Sequence, residues 1–129
     1  MNVMEITRKF RFIKSVVFIT TDKVYESNGK PKAFKETDLL GGIDPYSASK
    51  SSTELMIRAY RESFFRGKIK CGISSARAGN VIGGGDWSQN RLIPDSIRSS
   101  IQNKTIVLRN PNFNRPWQFV LEPIKGYLI

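Results

Sequence analysis

The sequence predicts an α/β fold of parallel strands joined by crossover helices. "SVVFIT", Ser15 to Thr20, runs β-branched and aromatic residues without the alternation of a half-solvated strand and reads as a buried strand, and "KCGISSARA" from Lys70 reads as a second. A long helical pattern separates them, and each run is followed by a loop rich in glycine and polar residues. Repetition of strand, loop and helix along a chain places the strands in parallel.

The elements follow in order. Residues 4 to 13 set Ile6, Phe10 and Ile13 among charges at helical spacing. The first strand ends at Thr20. Asp22 to Pro45, "DKVYESNGKPKAFKETDLLGGIDP", is then too long and too rich in Gly, Pro, Asn and Asp to be a mere turn, and loops of that length usually carry function. From Pro45, well placed in a first helical turn, a helix is expected to about Phe65. Positions 46, 50, 53, 57, 60 and 64 form one stripe on it, polar at first and apolar later. After the second strand comes the glycine-rich loop "GNVIGGGDWSQN", Gly79 to Asn90, then a helical "RLIPDSIRSSIQ" and a short strand "TIVLR". Ligands of such sheets bind beyond the C-terminal strand ends, which here are Thr20 to Lys23 and Arg77 to Asn80.

Composition narrows the chemistry. The 129 residues contain no histidine and one cysteine, Cys71, which excludes an internal disulfide and makes zinc chemistry an unpromising reading. Proton transfer therefore falls to Tyr, Lys, Asp or Glu. No apolar run reaches the ~20 residues of a membrane span, and the charged start "MNVMEITRKF" is unlike a signal peptide, so a cytoplasmic location is expected. The net charge of +10 lies in the flanks: residues 1 to 35 hold eight Lys/Arg against three acids, while residues 36 to 89 hold seven against six. Such basic flanks suit an anionic ligand, an acidic partner segment or plain solvation, and nucleic acid is not expected as a partner.

Within "DPYSASKSSTELM", Tyr46 and Lys50 stand one helical turn apart on one face. Composition alone would give about 0.3 such Y-x-x-x-K matches in the chain, so the spacing by itself also fits a surface pair. A phenol acting as a base near neutral pH needs its anion stabilised by about 4 kcal/mol, and a cation one turn away supplies part of that.

The ordered set "TTDKVY", "PYSASK", "RAGNVIGGGDW", "NRLIPD" and "NFNRPWQFVLEP" resembles the extended short-chain dehydrogenase/reductase family, whose members join a Rossmann sheet to a sugar-nucleotide lobe. Within that family it is similar to the branch that dehydrates CDP-glucose; the epimerases usually read "NVYGP" where this chain has "GNVIGGGDW". The resemblance implies the C-terminal half of a Rossmann-like doubly wound parallel sheet over residues 1 to 78, then the start of a small sugar-nucleotide-binding lobe over residues 79 to 129. It implies NAD as cofactor, CDP-glucose as substrate and a homo-oligomeric full-length enzyme.

The same resemblance implies residue roles. Tyr46 would take the proton from the sugar 4-hydroxyl, Lys50 would stabilise its phenolate and hold the nicotinamide ribose, and Thr21 would hydrogen-bond the reacting oxygen. Thr20 and Arg77 would join Tyr46 and Lys50 around the cofactor. Asp22 would act as acid and Lys23 as its acid/base partner in water loss across C5 and C6; which group removes the C5 proton stays open, since related dehydratases carry Glu where Lys23 stands. Asn80, Arg91, Arg115, Trp117 and Gln118 would bind the nucleotide sugar, arginine being suited to gripping diphosphate oxygens in a fork.

No G-x-x-G-x-x-G or G-x-G-x-x-G lies between a strand and a helix in these residues, and Gly83 to Gly85 do not form one. The chain is therefore expected to be an internal fragment of a dehydratase. The readings that compete with it are another NAD-dependent nucleotide-sugar epimerase/dehydratase and a non-catalytic basic α/β fragment that binds a polyanion or another chain.

Overall fold

The computed structural model describes residues 1–27, 29, 32–67 and 69–129. The chain falls into two compact units, Met1–Ala78 and Gly79–Ile129. In the first, helix α1 (Asn2–Lys9) leads to strand β1 (Ser15–Ile19), a single 3-10 turn covers Asp22–Val24, and helix α2 (Pro45–Tyr60) leads to strand β2 (Gly72–Ala76). β1 and β2 pair in parallel, Ser15 opposite Gly72 and Ile19 opposite Ala76, so α2 is the crossover between neighbouring strands. The second unit repeats the order with strand β3 (Asn80–Ile82), helix α3 (Leu92–Ile101), strand β4 (Trp117–Phe119) and helix α4 (Leu121–Leu128). Here β3 and β4 are the parallel pair. Among the described residues no helix is long and apolar enough to cross a membrane.

Two expected elements are corrected. Thr105 to Arg109 forms no strand, and its Ile106, Val107 and Leu108 are exposed. The strands of this unit lie instead at Asn80–Ile82, inside the stretch that read as loop, and at Trp117–Phe119. β-branched composition states a preference for a pleated surface, whereas a strand also needs a partner ladder. Three-residue strands are too short to show a period. Of the long loop expected over 22–45, Asn28, Lys30 and Pro31 lie outside the described residues.

The first unit is held by Met4, Ile57, Tyr60, Phe65 and Ile73, with Val16, Phe18, Ile69 and Cys71 packed against them. Burying an Ile or Phe side chain stabilises by about 2 kcal/mol, so α2 is fixed chiefly by its C-terminal half. The helix ends in a π-type turn over Arg61–Phe65, where the Arg66 amide donates to the Arg61 carbonyl at 2.9 Å. That wider turn advances the inward face by one residue, which is why Phe65 is buried and Phe64, expected on the stripe, is partly exposed.

The N-terminus of α2 is fixed with equal care. Asp44 caps it, Oδ1 accepting from the Ser47 amide at 3.0 Å and Oδ2 from the Ser47 hydroxyl at 2.5 Å, and Pro45 fills the first helical position. The preceding loop lies directly on this turn. A Cβ at Gly42 would stand 2.5 Å from Ser47 Cβ and 2.6 Å from the Ala48 nitrogen, so only glycine fits there.

Candidate active site

Because β1 and β2 are neighbours, their C-terminal ends emerge side by side. The Thr20 amide donates to the Ala76 carbonyl at 2.8 Å and the Asp22 amide to the Ala78 carbonyl at 3.1 Å, which extends the ladder past both strands. Thr21, buried, caps the 3-10 turn: its Oγ1 accepts from the Lys23 amide at 3.4 Å and donates to Asp22 Oδ1 at 3.1 Å. Asp22 is half-buried and Lys23 exposed.

The first turns of α2 bring Tyr46 and Lys50 to the same place. Lys23 Nζ lies 5.8 Å and Lys50 Nζ 6.0 Å from the centroid of the Tyr46 ring. Two ammonium groups from different elements therefore face one phenol, within the range at which a cation is attracted to an aromatic ring. Tyr46 is 51% exposed and so open to a ligand. Asp44 completes the charge pattern. The Ser47 hydroxyl and then the Ser47 amide hold its carboxyl below the usual range, with the charge of Lys23 adding to the effect. The sequence offered a signal for Asp44, an acid just before Pro at a helix start.

Glu54 is the residue that sequence reasoning passed over. The buried face of α2 runs through Ser47, Ser51, Glu54, Ile57 and Tyr60, whereas the expected stripe ran through Tyr46, Lys50 and Thr53 before joining it at Ile57. Glu54 is only 4% exposed. Its Oε1 accepts from the Thr20 hydroxyl and from Arg77 Nε at 3.0 Å, and its Oε2 from the Ser75 hydroxyl at 2.7 Å and Arg77 Nη2 at 2.9 Å. Burial works to raise this carboxyl, but the hydrogen bonds from Arg77, Thr20 and Ser75, with the charge of Arg77, outweigh it and bring it down to about 2. The guanidinium is pushed up in turn, first by its bond to Glu54. Thr20 and Arg77, both expected at the cofactor, have their side chains on Glu54. The available signal was the row of small hydroxyls Ser47 and Ser51 ending in an acid, at a spacing that puts all three on one helix face.

In the second unit, the parallel ladder sets Asn80 opposite Trp117 and Val81 opposite Gln118, with the Asn80 amide donating to the Pro116 carbonyl at 3.0 Å. Trp117 is 39% exposed, so its indole is not simply core. Arg115 is exposed two residues before β4, and Arg91, also exposed, sits at the N-cap of α3. Arg98 on α3 donates through Nη1 to the Trp87 carbonyl at 2.7 Å and through Nη2 to the Ser88 carbonyl at 3.1 Å, fixing the turn after the glycines. Gly83 admits the Val120 side chain, which would lie 3.1 Å from a Cβ there.

The whole chain, residues 1–129, matches the model of the NAD dependent epimerase/dehydratase family. This chain belongs to that family. Among its relatives, the CDP-glucose 4,6-dehydratase of Salmonella typhimurium is 46% identical over 132 residues, covering 99% of this chain and 37% of that enzyme. The dTDP-D-glucose 4,6-dehydratase of Dictyostelium discoideum is 27% identical over 112 residues, covering 79% of this chain and 24% of that one. Among solved structures, the dTDP-glucose 4,6-dehydratase of Bacillus anthracis in complex with NAD superposes with a TM-score of 0.81 at 28% identity, over 96% of this chain and 38% of its own. The family member described here thus spans well under half the length of these relatives, and its α/β architecture with parallel strands is the Rossmann-like architecture of the dehydratases and epimerases.

Proposed function

We propose that this chain supplies the catalytic groups of an NAD-dependent nucleotide-sugar 4,6-dehydratase acting on CDP-glucose. The observation that carries the reading is the cluster at the two neighbouring strand ends, where Lys23 and Lys50 both face the half-exposed Tyr46. The 46% identity to the Salmonella enzyme supports the choice of nucleotide sugar.

Tyr46 takes the proton from the 4-hydroxyl, and the two ammonium groups favour the phenolate that results. Thr21 hydrogen-bonds the same oxygen as it becomes a carbonyl. That carbonyl makes the C5 proton acidic, after which water leaves across C5 and C6. Asp22 protonates the departing 6-hydroxyl, and Lys23 is its acid/base partner in that loss of water. Asn80, Arg91, Arg115, Trp117 and Gln118 bind the nucleotide sugar, the arginines neutralising diphosphate charge.

The residues present fit one end of the cofactor. Lys50 and Tyr46 stand one turn apart at the strand ends, with donors for a ribose hydroxyl pair and a cation beside them. NAD held there would supply the hydride acceptor for C4 and the hydride donor for C6. The product is CDP-4-keto-6-deoxyglucose.

A chimera tests the reading: these 129 residues replace the matching segment of the Salmonella enzyme, and the protein is supplied with NAD and CDP-glucose. Loss of water from the sugar, followed by mass spectrometry, is the expected result, and Tyr46→Phe abolishes it while leaving CDP-glucose binding nearly intact. A folded chimera that binds both NAD and CDP-glucose yet makes no dehydrated sugar would remove the proposal.

A further inference from the structure

We infer that Glu54 and Arg77 are positioning residues that clamp the Thr21-Asp22-Lys23 turn from both of its ends. The inference rests on the catalytic reading of that turn, and the contacts behind it are independent of any reaction. Residue 20 enters the turn and residue 25 leaves it. The Thr20 hydroxyl donates to Glu54, while the Tyr25 hydroxyl accepts from Arg77 Nη1 at 3.0 Å, and Arg77 is itself bound to both oxygens of Glu54. One carboxylate on the helix that carries Tyr46 and Lys50 thus reaches both ends of the turn that carries Asp22 and Lys23.

The clamp extends further. The Arg77 guanidinium lies 5.1 Å from the Tyr25 ring centroid, and that ring stacks on Phe34 at 4.8 Å with planes 2° apart. Nη1 also reaches the Glu36 carbonyl at 3.4 Å. Between the clamped ends, Val24 is fully buried, and its carbonyl accepts from the Ser51 hydroxyl at 2.7 Å and the Gly41 amide at 2.8 Å. The side chains at 20, 24 and 25 face these partners, which leaves those of Asp22 and Lys23 as the more open ones in the turn.

The geometry requires this hub to be ionic. Each oxygen of Glu54 receives one hydroxyl and one Arg77 N–H, so an amide at this position would turn its NH2 group toward a guanidinium N–H that has no acceptor capacity and leave that N–H unmet. Catalytic groups have to be held within about 0.5 Å of their working positions, and a hydroxyl-to-carboxylate-to-guanidinium chain built on a strand end and a helix provides that stiffness. Rotation of the turn would move Lys23 away from the Tyr46 ring.

Hydrogen exchange on the full chain tests the clamp without any turnover. In the parent, the amides of Asp22 and Val24 are bonded to the carbonyls of Ala78 and Thr21. Tyr25→Phe removes one hydroxyl and keeps the ring; it should speed exchange at Asp22 and Val24 by up to about tenfold, with the melting temperature nearly unchanged. Glu54→Gln should speed it by about a hundredfold, and by more than at the control amide of Gln102, which caps the C-terminus of α3 and donates to the Arg98 carbonyl. In the chimera, Tyr25→Phe should lower kcat for dehydration with KM for CDP-glucose unchanged. Unaltered exchange at Asp22 and Val24 in both variants, or equal acceleration at Gln102, would overturn the positioning role while leaving the proposed reaction to be judged by the chimera alone.

Discussion

Replacing Arg77 by methionine should reverse the contribution that Glu54 makes to the pH dependence of stability. In the parent, the Glu54 carboxyl is brought from 4.5 to about 2 by folding. Each pH unit of displacement corresponds to about 1.4 kcal/mol, so ionised Glu54 contributes about 3 kcal/mol. The folded value is depressed, so this contribution is complete above about pH 4.5 and is lost as the pH falls toward 2. In Arg77→Met the same carboxylate, 4% exposed, keeps only the Thr20 and Ser75 hydroxyls. Burial then prevails, the folded value rises above the unfolded one, and stability is gained as the carboxyl protonates. The variant should lose about 3 kcal/mol at pH 7, consistent with the cost of leaving one partner of a buried pair, and should recover much of it near pH 4.5. Adding Glu54→Gln to Arg77→Met should restore about half of the loss at pH 7, because no buried charge remains. Urea unfolding of the chain followed by circular dichroism measures all three. A loss under about 1 kcal/mol at pH 7, or a stability difference from the parent that does not narrow toward pH 4.5, would refute the reasoning.

Gly42→Ala should destabilise the first unit by about 1–3 kcal/mol, since the new Cβ would press on Ser47 and the Ala48 nitrogen; an unchanged urea midpoint would show that the loop can move aside. Lys23→Met in the chimera should leave NAD reduction measurable but stop water loss, so that reduced cofactor accumulates, and full dehydration at the parent rate would deny Lys23 its role. CDP-glucose should be turned over well ahead of UDP-glucose or dTDP-glucose, and equal rates would leave only the wider reaction class standing. The 129-residue polypeptide on its own should bind NAD no better than millimolar, because these residues hold no G-x-x-G-x-x-G or G-x-G-x-x-G between a strand and a helix to bind the pyrophosphate at a helix N-terminus; titration calorimetry giving a low-micromolar Kd would contradict this.

The sequence by itself determined the parts of this protein that depend on local spacing. The β-branched and aromatic run at 15–20 located β1, whose residues are nonetheless half-buried or exposed, Pro45 located the start of α2, and a separation of four placed Tyr46 and Lys50 on one helix face, because period and capping are properties of neighbours along the chain. Tertiary structure decided the rest. Lys23 comes to the Tyr46 ring because the first turns of α2 pack on the Asp22–Val24 turn, with the Ser51 hydroxyl donating to the Val24 carbonyl, and nothing in the spacing from 23 to 46 encodes that distance. Glu54 reads as a solvent residue on a helix until the fold buries it, and its meaning comes from Thr20, Ser75 and Arg77, which lie 34, 21 and 23 positions away. A buried charge is tolerated only where donors converge on it, and convergence from two strands and a helix is a three-dimensional fact. The same reason separates "TIVLR", which has the composition of a strand and no partner, from Trp117–Phe119, which has a partner in Asn80–Ile82 and too few residues to announce itself.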